Sequence, residues 1–280
     1  MANLLTRRST IQRAAAFAGL PLIPPDARAE SIYGKGQITA FALAGDRYHN
    51  IDYVRTALGK TLVKDLGISI DFTDELSILN ASTLKRYKLL IMLRDGMVWP
   101  GGYAAPGGRG IVSDPPLAAE FDPNPVYWMT VEQGKAVKEF IQNGGSALFY
   151  HNVTYIARQN QEFREVLGAV TQEHPPLRPF KVTIVNRDHP ITRGVNDFVV
   201  TDEQHFVKYD KDPKHILMRS VNEDGLTWKD LGASSPAGWA YDYGRGRVCY
   251  LAPGHVITAL WNPEYEKIQK NAVDWLLRKA

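Results

Sequence analysis

Cysteine is almost absent: Cys249 is the only one in 280 residues. No internal disulfide can form, so the chain does not exploit an oxidising compartment for stability. Cys249 lies in an apolar, strand-like run and is expected to be a buried small hydrophobe. Long apolar runs are missing too; none approaches the ~20 residues that a membrane helix needs. There is no Lys/Arg cluster of the kind a nucleic-acid partner requires. Several catalytic signatures are absent. No G-x-S-x-G elbow is present, which argues against a serine triad of that type. Gly34-Lys35-Gly36 precedes its strand, and Gly107-Gly108-Arg109-Gly110 lies in a long loop with no helix after it. Neither is a phosphate loop, and no nucleotide cofactor is expected.

The N-terminus reads as a processed leader. Twin arginines, Arg7-Arg8, stand ahead of a mild apolar stretch from Ala14 to Ile23, and Ala27-Arg28-Ala29 is an A-x-A cleavage signal. Residues 1–29 are therefore expected to be a twin-arginine (Tat) export signal and residues 30–280 one mature domain, periplasmic or otherwise exported. The leader holds four of the 33 basic residues (Arg7, Arg8, Arg13, Arg28) and one of the 30 acidic ones (Asp26), so the mature chain carries no net charge.

Along the mature chain, strand-like and helix-like segments alternate. Gln37 to Leu43, Ile68 to Phe72, Leu89 to Leu93 and Ala147 to Tyr150 read as strands. Asp52 to Leu66, a helix opened by a capping box at Thr130 to Gln133, and Asn160 to Leu167 read as helices. That order predicts an α/β fold with a mostly parallel sheet and helices on both faces. The second half adds short strands at Phe180 to Val185, Phe198 to Val200, Ile216 to Met218, Trp239 to Tyr243 and Arg247 to Leu251, so antiparallel strands are expected there. A final helix starts at Asn262 and Pro263. Between Gly96 and Trp128, glycines and prolines alternate with aromatics; such a loop is expected to form a lid or wall over a site.

Three strand-like runs lead to a histidine: His49, His151 and His255. In a parallel sheet the carboxyl ends of strands converge on one crevice. Histidine is both the commonest metal ligand and a proton carrier near neutral pH. A carboxylate would complete the site, from Asp95 or Glu203. Three imidazoles and a carboxylate suit zinc or a similar divalent metal; without metal the same groups suit acid–base catalysis. An alternative places His205 in the site and leaves His255 structural. His174, His189 and His215 read as surface or turn residues.

The second half resembles the ThuA-like (trehalose utilisation) family. The matching segments are Asp188-His189-Pro190-Ile191-Thr192-Arg193-Gly194-Val195, Asp202-Glu203-Gln204, Ser235-Pro236-Ala237-Gly238-Trp239, Tyr243 to Val248, and Pro253-Gly254-His255 with Trp261-Asn262-Pro263-Glu264-Tyr265. The resemblance implies a flavodoxin-like fold related to class I glutamine amidotransferases. Those enzymes use a cysteine at a strand–helix elbow, where this chain has Tyr150-His151-Asn152, so glutamine hydrolysis by that mechanism is excluded. It also implies a sugar or sugar-derived substrate, such as a 3-keto-glycoside that is cleaved or isomerised. Trp99, Tyr103, Tyr127, Trp128 and His205 are then candidates for substrate contact, and a homo-oligomer is left open. The competing reading is a non-catalytic sugar- or partner-binding module on an amidotransferase-like scaffold.

Overall fold

The computed structural model describes residues 39–99 and 125–279. The expected export signal and most of the long loop, Tyr103 included, lie outside the described residues. The first half runs β1 (Ala40–Ala44), α1 (Ile51–Leu58), β2 (Ile70–Thr73), α2 (Ala81–Leu84), β3 (Leu89–Leu93), β4 (Met97–Val98), β5 (Val126–Tyr127), α3 (Val131–Gln142), β6 (Ser146–Tyr150) and α4 (Gln161–Leu167). The second runs β7 (Ala169–Glu173), β8 (Arg178–Ile184), β9 (Phe198–Asp202), β10 (Phe206–Tyr209), β11 (Ile216–Val221), β12 (Ser234–Tyr243), β13 (Gly246–Leu251), α5 (Ile257–Leu260) and α6 (Pro263–Leu276).

Nine strands form one sheet in the order β2-β1-β3-β6-β13-β12-β11-β8-β9. The first five are mutually parallel. β1, β3 and β6 are buried along their whole length, as their unbroken apolar runs require. Adjacent residues on a strand point to opposite faces. Phe149 accordingly packs on Phe163 of α4, while Tyr150 donates to Gln269 Oε1 of α6. Helices thus cover both faces. Local chemistry opens the helices: Thr130 and Gln133 form the expected reciprocal capping box, Asn262 with Pro263 opens α6 as expected, and Asn160 also caps α4.

The last four strands join antiparallel to one another and to β13. Four reversals return the chain to its starting direction. β9 therefore runs the same way as β13 and ends at the same edge of the sheet. Several expected boundaries shift. The expected helix from Asp52 to Leu66 is α-helical only to Leu58 and continues as a π-helical segment, Gly59–Lys64. β7 and β10, which were not expected, pair in a small separate sheet. β4 and β5, on either side of residues 100–124, pair antiparallel. Among the described residues no helix is long and apolar enough to cross a membrane.

Candidate active site

His49, Asp95, His151 and His255 follow β1, β3, β6 and β13, four neighbours in the parallel part of the sheet. The sheet order reverses between β1 and β3, the place where ligands bind in open α/β sheets. Glu203 follows β9 at the same edge. One ring nitrogen from each of His49, His151 and His255 and one carboxylate oxygen of Glu203 lie within 4.8 Å of one another. His49 Nε2 is 3.0 Å from His255 Nδ1. Glu203 Oε2 is 3.2 Å from His255 Nδ1 and 3.4 Å from His151 Nε2. The side chains of His255 and Glu203 keep 20% and 15% exposure while those of His49 and His151 keep 3% and 0%. The cluster therefore opens to solvent on the His255–Glu203 side.

Two aspartates build this arrangement. Asp46, in the turn after β1, accepts from the backbone N–H groups of Tyr48 (2.8 Å) and His49 (3.0 Å) and from His49 Nδ1 (2.8 Å) through one oxygen. Its other oxygen accepts from the Asp95 N–H (2.7 Å) and Asn152 Nδ2 (2.9 Å). One carboxylate thereby ties together the ends of β1, β3 and β6. Gly45 permits the tight turn: its φ is +92°, and a Cβ there would sit 2.7 Å from that of Ile51. Asp202, the last residue of β9, accepts from the N–H groups of Gly254 (3.1 Å) and His255 (3.2 Å), tying β9 to the turn after β13. Tyr53, Tyr250 and Tyr265 donate to the carbonyls of Gly254, His151 and Pro253.

His151 has a φ of +50°. A non-glycine residue held there stores strain, typically about 1–3 kcal/mol, and such residues concentrate at functional sites. Gly254 makes room for it, since a Cβ on Gly254 would fall 2.8 Å from that of His151.

Ring hydrogen bonds orient two of the histidines for ligation. His49 gives its Nδ1–H to Asp46, leaving the Nε2 lone pair facing the cluster. His151 gives its Nδ1–H to the Ala252 carbonyl (2.9 Å), leaving Nε2 buried with no hydrogen-bond partner. A second ring nitrogen bonded to a carboxylate or carbonyl is the usual support of a metal-ligating histidine. Burial lowers the His49 pKa, overriding Asp46, and favours the neutral ligand form. Burial would raise Glu203, but the adjacent His151, His205 and His255 rings outweigh it and hold the carboxyl far below its ordinary range. With metal–ligand bonds of about 2.0–2.1 Å, ligands of a tetrahedral site lie roughly 3.4 Å apart, close to the separations here. The donor set and the orphaned His151 Nε2 fit a divalent metal.

Asp95 behaves differently. Burial, then the neighbouring Asp46 charge, pushes its carboxyl up to about 7. Trp128 is buried and donates its indole N–H to the Asp95 carbonyl (2.7 Å), so it supports the Asp95 turn. Trp99 packs edge-on against Tyr48, and the Arg47 guanidinium lies 4.7 Å over its ring. Tyr127 is half-buried in β5. His205 is buried beside His151, with ring centroids 4.2 Å apart. His174, expected as a surface or turn residue, instead stacks on His205 at 4.9 Å. The sequence reading missed the role of Asp46, although its position three residues before His49 in a strand–helix turn suits a side chain that folds back on the backbone. A cleft lined by Leu84, Tyr87, Ala136 and Phe140 lies at the opposite, amino edge of the sheet and holds none of these groups.

The family model described as ThuA, trehalose utilisation, matches residues 39–276. Among curated proteins compared by sequence, none matches. A ThuA-like protein from Bacteroides uniformis is 19% identical with a TM-score of 0.61, covering 90% of this chain and 96% of that one. One from Parabacteroides merdae is 15% identical with a TM-score of 0.62, covering 86% and 90%. A β-galactosidase from Rahnella sp. R3 is 15% identical with a TM-score of 0.51 over 86% of this chain and 31% of its own, a likeness of fold alone. The flavodoxin-like α/β fold, the match across almost the whole described chain and the ThuA-like neighbours agree, and this chain belongs to the ThuA family, whose link to trehalose utilisation suggests a carbohydrate-related role.

Proposed function

We propose that the protein is an exported enzyme that cleaves or isomerises an oxidised sugar such as a 3-keto-glycoside, with a divalent metal held by His49, His151, Glu203 and His255. The observation that carries this is the convergence of three imidazole nitrogens and one carboxylate oxygen within 4.8 Å at the carboxyl edge of the sheet. A bound divalent ion would supply Lewis-acid polarisation of the ketone. The remaining chemistry belongs to the chain. A ketone at C3 acidifies the C2 proton. Loss of that proton to a base, with departure of the C1 substituent, breaks C2–H and C1–O and forms C1=C2. Asp95, at about 7, is poised to take up the proton near neutral pH. Trp99, just after β4, and Tyr127 of β5 offer aromatic surface for a sugar ring. Export rests on the twin-arginine leader, with Glu30 starting the mature chain.

The test uses protein matured in the periplasm. Its N-terminus should read from Glu30, it should contain bound divalent metal, and it should turn over a 3-keto-glycoside. His151→Ala should lose metal and at least 100-fold of the activity. No metal and equal behaviour of wild type and variant would leave the non-catalytic binding module as the surviving reading.

A further inference from the structure

We propose that His174, His205 and Glu203 form a second divalent-cation site beside the first, with Glu203 bridging the two. This rests on the reading of the first cluster as a metal centre, because the two share Glu203.

The small sheet explains how the pair arises. β7 and β10 are antiparallel, with Phe206 opposite Glu173. One step further along that register, His205 stands opposite His174. The rings stack at 4.9 Å with only 10° between their planes. His205 Nε2 and His174 Nδ1 lie 3.6 and 3.7 Å from Glu203 Oε2, and the three ligand atoms lie within 4.8 Å of one another.

Two independent observations point to a ligand. First, His205 is 2% exposed, and neither of its ring nitrogens has a hydrogen-bond partner. A buried imidazole with both nitrogens unsatisfied is costly unless something absent from the protein itself binds there. Second, four imidazoles crowd one carboxylate oxygen, at 3.2, 3.4, 3.6 and 3.7 Å. One oxygen cannot accept four hydrogen bonds. The longer two distances suit ligands sharing a cation. His174 Nδ1 also faces the Pro175 carbonyl at 3.0 Å, so ligation requires this partly exposed ring to release that carbonyl. Paired cations bridged by a carboxylate clamp two adjacent oxygens of one substrate. The matching ligand class is an α-hydroxy ketone, in which a carbonyl and a hydroxyl oxygen sit on neighbouring carbons.

Metal content decides the matter. Purified protein is stripped with chelator, reloaded with excess Co2+, desalted, and analysed for metal per chain. Wild type is expected to hold two. His174→Gln and His205→Phe are each expected to hold one. Wild-type Co2+ should also show magnetic coupling that the single-site variants lack. One ion in wild type and one in both variants would overturn the second site and leave the first standing. No ion in wild type would overturn both. Two ions in every form would overturn the assignment to these residues. If His205→Phe fails to fold, His174→Gln decides alone, because its ring is partly exposed and packs in no core.

Discussion

Asp46 and Asp95 are both buried carboxyls at one edge of the sheet, and their surroundings drive them apart. Burial raises both. At Asp46 the hydrogen bonds from His49, the Asp95 N–H and Asn152 overcome it and hold the carboxyl at about 2. At Asp95 burial and the Asp46 charge prevail, and the carboxyl sits at about 7. Two carboxyls pushed in opposite directions are the usual signature of divided roles, one fixed as an anion and one free to exchange a proton. The linkage has a definite sign. The folded metal-free protein keeps the Asp95 proton where the unfolded chain, near 3.8, has already lost it. Stability therefore falls as pH rises from about 4 through 7, and the deficit is complete above 7. Asp95→Asn should stabilise the chelator-treated protein at pH 8 by up to about 4 kcal/mol, at ~1.36 kcal/mol per pKa unit, and change little at pH 4, while lowering activity. Urea denaturation at the two pH values checks this; equal stability of both proteins at pH 8 would refute it.

Among the elements, the helix starts carry more than their own helices. Asn160 is 2% exposed. Its Oδ1 caps α4 by accepting from the Phe163 N–H (2.9 Å), and its Nδ2 donates to the carbonyls of Met129 (3.3 Å) and Thr130 (2.8 Å). Those carbonyls immediately follow Trp128, the residue that braces Asp95. Asn160→Ala should cost about 1–3 kcal/mol in thermal or chemical denaturation, from a lost cap and two unsatisfied buried carbonyls. It should also lower activity although it touches none of the clustered side chains. Asn160→Asp keeps the cap acceptor but sets a buried carboxylate oxygen against those two carbonyls, so it should lose at least as much; a smaller loss than that of Asn160→Ala would assign the effect to the cap alone. Such caps were legible in the sequence at Thr130 and Asn262, because a cap is written within four residues. β7 and β10 were not legible. Each is short, and its pairing depends on a partner more than 30 residues away. With them went the position of His174.

For the whole molecule, the site is a junction where separate stretches of chain are held by shared ligands. β1, β3 and β6 meet at Asp46, and β9 meets the turn after β13 at Asp202. The proposed cation would link segments from residue 49 to residue 255 and bind only the folded state. Removing it should lower the melting temperature. At zinc 1,000-fold above its dissociation constant the stabilisation is about 4 kcal/mol, or roughly 8 °C or more for a domain of this size. Calorimetry with chelator, then with zinc restored, measures it. A melting temperature unmoved by either would refute the metal centre.

Periodicity, turn residues and caps are local, and they determined the alternation of strands and helices, the antiparallel second half and the histidines at the ends of β1, β6 and β13. The short family motifs identified the fold for the same reason. Distances are not local. Only the folded sheet decided that four antiparallel reversals return β9 to the carboxyl edge, so that Glu203 reaches histidines up to 154 residues away in sequence. Only the folded sheet revealed Asp46 and Asp202 as the residues that hold the strand ends together, because a carboxylate's partners are set by the order and twist of nine strands rather than by its neighbours along the chain.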